Sequence, residues 1–171
     1  MRNRAAGFEV LEHTADIGLR ARAASLGELF EQATLGLAEV LGARWPERAG
    51  VAEVEAVPVE VEAPDLGGLL VDWLGEVLYL HEVRRAGVAA VRVEHVTETP
   101  DAAGMTRAKG VVMLVPPAKR AGGRSDAGHG RPAEAGDEPF EGIEVKAVTY
   151  HRLTVERDPG GGWLAEVYLD V

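Results

Sequence analysis

The clearest pattern of apolar and polar positions lies in the last 28 residues, Glu144 to Val171. Asp158-Pro159-Gly160-Gly161-Gly162 is turn chemistry, because proline presets φ and glycine accepts positive φ without steric cost. Both flanks are rich in β-branched and aromatic residues, so the segment predicts a β-hairpin. In its second strand Trp163, Ala165, Val167, Leu169 and Val171 point one way, and Leu164, Glu166, Tyr168 and Asp170 the other. An antiparallel hairpin returns Lys146, at the far end of the first strand, to within a few residues of Asp170.

Phe8 to Ala23 reads as one extended stretch in which Leu19, Ala21 and Ala23 alternate with Arg20 and Arg22. The polar knot His13-Thr14-Ala15-Asp16, followed by Gly18, interrupts it and predicts a bulge or bend. Ser25 with Glu28 forms a capping box ahead of a helical stripe of Leu26, Leu29, Phe30, Ala33, Leu37, Val40 and Leu41, with Gly42 as its stop. Val51 to Ala63 predicts a strand, and Pro58, which lacks a donor, places it at an edge or bulge. Asp65 caps a second helix with the stripe Leu66, Leu69, Leu70, Trp73, Leu74, Val77, Leu78 and His81. Strands over Val88–Glu98 and Met105–Val115 follow, joined by a Thr-Pro-Asp turn.

Residues 116–142 break the pattern, with six glycines and four prolines among 27 residues and no apolar period. This predicts a flexible surface insertion that is more simply a solvated linker, although its Lys119, Arg120, Arg124, His129 and Arg131 have the charge to touch a polyanion. The remainder is long enough for one domain over 1–171. A net charge of −10 argues against a stand-alone nucleic-acid binder. The absence of cysteine removes disulfides, thiolate zinc sites and a Cys nucleophile, and fits a cytoplasmic setting. No stretch reaches the roughly 18 apolar residues that span a bilayer, so no membrane partner is expected.

The common enzyme signatures are missing. There is no P-loop and no G-x-S-x-G, and Gly160-Gly161-Gly162 leads into a strand rather than a helix. Two polar clusters remain, His13 to Asp16, and Lys146 with Asp170 and the oxygens of Val171. Oxygen donors without sulfur suit a hard cation such as Ca²⁺, Mg²⁺ or Mn²⁺. Each residue also has a plainer reading. Asp16 fits turn chemistry, Asp170 a solvated strand end, Lys146 a surface lysine and His151 a hydrogen-bonded histidine on a strand face. His13 either caps the bulge or orients a carboxylate.

His13-Thr14-Ala15-Asp16-Ile17-Gly18, the helix with Leu26, Leu29, Phe30 and Ala33, and Leu69-Leu70-x-x-Trp73-Leu74 with Leu78-Tyr79 resemble the archease family. So do Val145-Lys146-Ala147-Val148-Thr149-Tyr150-His151 and the closing Leu169-Asp170-Val171. The matches keep one order along the chain and leave out only the 116–142 insertion, which departs from the compact family pattern. The resemblance implies an α+β fold, with a mixed or antiparallel sheet packed against two main helices and ending in the C-terminal hairpin. It implies an accessory protein, with no catalytic residue of its own, for the RtcB-type RNA ligase of tRNA splicing and RNA repair. Such a protein helps the ligase load guanylate and turn over repeatedly, and meets RNA only indirectly. The implied divalent-cation ligands are Asp16, Asp170 and Val171 through its main-chain oxygens. Lys146 is the implied contact to a phosphate or partner carboxylate, with His13 and His151 in supporting positions. Two alternatives stand beside this reading. One is a chaperone-like specificity factor for a tRNA methyltransferase. The other is a stand-alone metal-dependent phosphohydrolase, in which a carboxylate-bound cation activates water. One small acidic cluster without a clear substrate pocket argues against the hydrolase.

Overall fold

The computed structural model describes residues 5–12, 15–45, 53–116 and 142–171. Among them, strands and helices follow in the order β1 (Gly7–Glu12), β2 (Asp16–Ala23), α1 (Leu26–Val40), β3 (Glu55–Ala63), α2 (Leu66–Arg84), β4 (Gly87–Val96), β5 (Thr106–Val115), β6 (Ala147–Arg157) and β7 (Trp163–Asp170). The fold is α+β, and the closing hairpin is β6–β7. The strands form two antiparallel sheets, β1-β2-β7-β6 and β3-β5-β4.

Both helices touch both sheets. Helix α1 packs on β1, β2 and β7 of the first sheet and on β4 of the second, and α2 packs on β6 of the first and on β3 and β5 of the second. The helices therefore form a layer between the sheets. That position explains why α2 is apolar around most of its circumference. It buries Leu69, Leu70, Val71, Trp73, Leu74, Val77, Leu78 and Leu80, and leaves one narrow stripe to solvent.

Local chemistry sets the element ends. The Ser25 side chain accepts the Glu28 amide at 3.2 Å, while the Glu28 carboxylate accepts the amide of Ala24, one residue outside the usual reciprocal partner. At the other end of α1, Gly42 takes φ 63, its amide reaches Glu39 and the Ala43 amide reaches Ala38, a Schellman closure. Asp65 accepts the Gly68 amide at 2.7 Å and starts α2. Helix α2 ends at Arg85, in the left-handed region, where His81 Nδ1 lies 2.8 Å from the Ala86 carbonyl oxygen.

Three expectations change in detail. Phe8 to Ala23 is not one extended stretch but two antiparallel strands, since Glu12 pairs with Ile17, and the bulge or bend expected at His13 and Thr14 lies outside the described residues. The strand expected from Val51 begins at Glu55 and lies at a sheet edge, where the missing donor of Pro58 is tolerated. The strand from Val88 stops at Val96, and Asp101 organises the turn that follows by accepting the amides of Ala103 at 2.8 Å and Met105 at 3.1 Å. Most of the 116–142 insertion lies outside the described residues.

One buried polar link joins the helices. The fully buried Thr34 hydroxyl donates to the Phe30 carbonyl at 2.7 Å and accepts the Trp73 indole N–H at 2.9 Å. Thr34→Val keeps the shape but strands that N–H in the core. We expect a loss of about 1–3 kcal/mol in denaturant unfolding. Gly110→Ala should cost more, because its Cβ would run into the Arg92 carbonyl of the neighbouring strand.

Candidate functional site

Strand β7 lies between β2 and β6, and its last residue meets both neighbours. Asp170 pairs with Asp16 on one side and with Ala147 on the other. Directly opposed residues of an antiparallel pair share a face, with Cβ atoms about 4.5–5.5 Å apart. Asp16 and Asp170 therefore rise from the same side of the sheet. It is the outer side, because their neighbours Ile17 and Leu169 are buried against the helices. The Lys146 amide donates to the Asp170 carbonyl at 2.8 Å, and its ammonium donates to the main-chain oxygen of Val171 at 3.1 Å. Asp16, Asp170, Val171 and Lys146 thus meet at one end of the sheet, although some 150 residues of chain separate the first two.

The next row behind the carboxylates is a wedge that alternation alone did not single out. Tyr168 pairs with Gly18 and is buried even though it lies on the outer face. A Cβ on Gly18 would stand 3.1 Å from both the Leu11 Cβ and the Tyr168 ring, so glycine lets the ring lie down over β2. The Tyr168 hydroxyl donates to Glu166 at 2.8 Å, and Glu166 receives two hydrogen bonds from Arg20, at 2.9 and 3.1 Å. The hydrogen bond to Glu166 raises the pKa of the Arg20 guanidinium above its ordinary value. Thr149 donates to the Tyr168 carbonyl at 2.9 Å and fixes β6 against β7 at this row. The signal in the sequence was a glycine in β2 facing an aromatic residue in β7, visible only once the two strands are aligned.

Strand β6 leaves register between Thr149 and Thr154, and Arg152 adopts φ 50 within that bulge. The bulge sets the exposed His151 edge-on to the Tyr168 ring, with centroids 5.9 Å apart. His151 therefore stands beside the wedge, one row back from the carboxylates, and not among them. His13 lies outside the described residues.

The donor set fits a hard cation. Among the described residues it offers two carboxylates on one face and a main-chain oxygen beside them, all oxygen and no sulfur or imidazole. Among the described residues no three His, Cys, Asp or Glu side chains converge on a metal position. Without a cation, two like charges directly opposite across a strand pair repel by on the order of 1 kcal/mol near solvent. Lys146 offsets part of that charge.

The model of the Archease protein family (MTH1598/TM1083) matches residues 8–171. The chain belongs to the archease family. It is 33% identical to the protein archease of Pyrococcus furiosus over 167 residues, covering 96% of this chain and 98% of that one. It is 35% identical to the protein archease of Methanosarcina acetivorans over 164 residues, covering 96% and 95%. The solution structure of Methanobacterium thermoautotrophicum protein 1598 aligns with a TM-score of 0.64 at 28% identity, covering 96% of this chain and 99% of that one. Among the described residues no helix is long and apolar enough to cross a membrane.

The wedge makes a prediction of its own. Gly18→Ala should push the Tyr168 ring outward and cost about 1 kcal/mol in denaturant unfolding. The near-ultraviolet dichroism of the tyrosine should change with it.

Proposed function

We propose that this archease-family protein is an accessory factor of an RtcB-type RNA ligase in tRNA splicing and RNA repair, promoting guanylation and repeated turnover. What supports this most is the pairing of Asp16 with Asp170 beside Val171 and Lys146, in a chain that matches the family almost from end to end. Asp16, Asp170 and the main-chain oxygens of Val171 would hold Ca²⁺, Mg²⁺ or Mn²⁺. A bound cation supplies positive charge that relieves the repulsion between the two carboxylates and attracts oxygen ligands from the partner.

The protein's own groups then have distinct tasks. The β2–β7 register holds the two carboxylates on one face, and the Tyr168 wedge keeps the strands at fixed spacing. Lys146 steadies the Val171 oxygen and presents charge to a phosphate or a partner carboxylate. On this reading the protein works as a cofactor of the ligase, in the cytoplasm, and meets RNA through the ligase.

Two measurements test this. First, Ca²⁺ or Mn²⁺ at about a hundred times its dissociation constant should raise the thermal midpoint by roughly 5–10 °C. Asp16→Asn and Asp170→Asn should each flatten that response. Second, in ligation with the cognate ligase, GTP, Mn²⁺ and excess RNA, the wild type should turn a stalled single round into many, and Asp170→Ala should not. If the wild type leaves the ligase unchanged, the reading fails, and copurification with a tRNA methyltransferase becomes the outcome to examine.

A further inference from the structure

Helix α2 exposes one stripe to solvent, and that stripe walls an open groove. The groove, of about 610 Å³, runs between α2, the edge strand β3 and the start of the edge strand β6. Its floor is apolar, built from Val61, Val71, Leu78 and Val148. Its rim is acidic, with Asp72, Glu76 and Glu82 on α2 and Glu62 on β3. Glu62 is tied to Arg107 at 2.8 Å, whereas the three helix carboxylates have no cation partner among the described residues. Tyr79, in the same wall, is 55% exposed. Lys146 and Ala147 line the groove at its β6 side, so it lies at the same end of the sheet as the Asp16–Asp170 pair, whose carboxylates rise from the opposite face.

Gly75 is the telling residue. It sits in the middle of α2, where glycine costs about 1 kcal/mol relative to alanine. Nothing among the described residues asks for it. Its φ is not positive, and a Cβ there would meet no atom of the described residues within 4 Å. The missing side chain lies in the groove wall and leaves open space there among the described residues.

We propose that this groove docks a polypeptide segment of the protein partner that carries Lys or Arg side chains beside an apolar anchor. The apolar residue would enter the space over Gly75, against Val71 and Leu78, and the cations would meet Asp72, Glu76 and Glu82. An acidic rim repels a phosphate backbone, which sets RNA aside. A second copy of this chain, itself at net charge −10, matches the rim poorly. This inference rests on the accessory-factor reading, and it adds where the ligase holds on while the carboxylate end works.

The test uses full-length protein, the ligase from the same organism, and two variants. Gly75→Leu fills the groove with a better helix former, and Glu76→Lys reverses the rim. Both should keep or raise the thermal midpoint, and a third variant, Gly75→Ala, should raise it by roughly 2–4 °C as a control. Ligase affinity should fall by about tenfold or more in each variant. The wild-type affinity should weaken as salt rises, and Glu76→Lys should flatten that dependence. The Ca²⁺ or Mn²⁺ response of the Asp16–Asp170 site should stay as in the wild type. Wild-type ligase affinity in both variants would overturn the groove while leaving the accessory role intact. A dimerisation of the wild type that Gly75→Leu abolishes would overturn it in favour of a second copy. A ligase that binds neither wild type nor variants would sink the accessory reading, and the groove's occupant with it.

Discussion

The antiparallel pairing of β2 with β7 is the constraint on which the rest depends. It joins the second strand of the chain to the last over eight consecutive residue pairs, from Asp16–Asp170 to Ala23–Trp163. Its inner face, Ile17, Leu19 and Ala21 with Leu169, Val167 and Ala165, covers α1. Its outer face carries the wedge and the carboxylates. Because side chains alternate with a period of two, a slip of one residue would turn Asp16 toward the helices and Ile17 toward water. Burial of the inner face therefore fixes the register, and the register brings two distant aspartates together. Stability and the candidate site draw on the same pairing.

That coupling explains how repelling carboxylates are held together. Opposed like charges disfavour their own strand pair by an amount small beside the burial of three or more large side chains on the other face. Gly18 and Tyr168 add to the same hold from the outer side, and Arg20 with Glu166 closes the row behind them. Packing thus brings the two carboxylates to one face in advance of any ligand.

Much of this was legible in the sequence where the physics is local. The caps at Ser25 and Asp65, the stop at Gly42, the stripes of both helices and the turn at Asp158–Gly162 each follow from neighbours within a few residues. So did the edge position of Pro58. Long-range pairing was not legible. Nothing local shows that the strands divide into two sheets around a helical layer, or that Gly18 faces Tyr168. The bulge at 150–153 was equally hidden, since Tyr150-His151-Arg152 continues a plausible strand pattern until Arg152 turns to positive φ. The aspartates could be named in advance because the motifs resembled a family. Their spacing alone left them as turn and strand-end residues.

The central claim, that Asp16 and Asp170 form one cation site, is tested most directly by adding Mn²⁺ to isotopically labelled protein and following the paramagnetic broadening of its amide signals. The account predicts that Asp16, Asp170, Val171 and the adjoining Ala147 broaden first, and that Asp16→Asn removes the effect. Broadening centred on Asp72, Glu76 and Glu82 of α2, with the β2–β7 end unchanged, would contradict it.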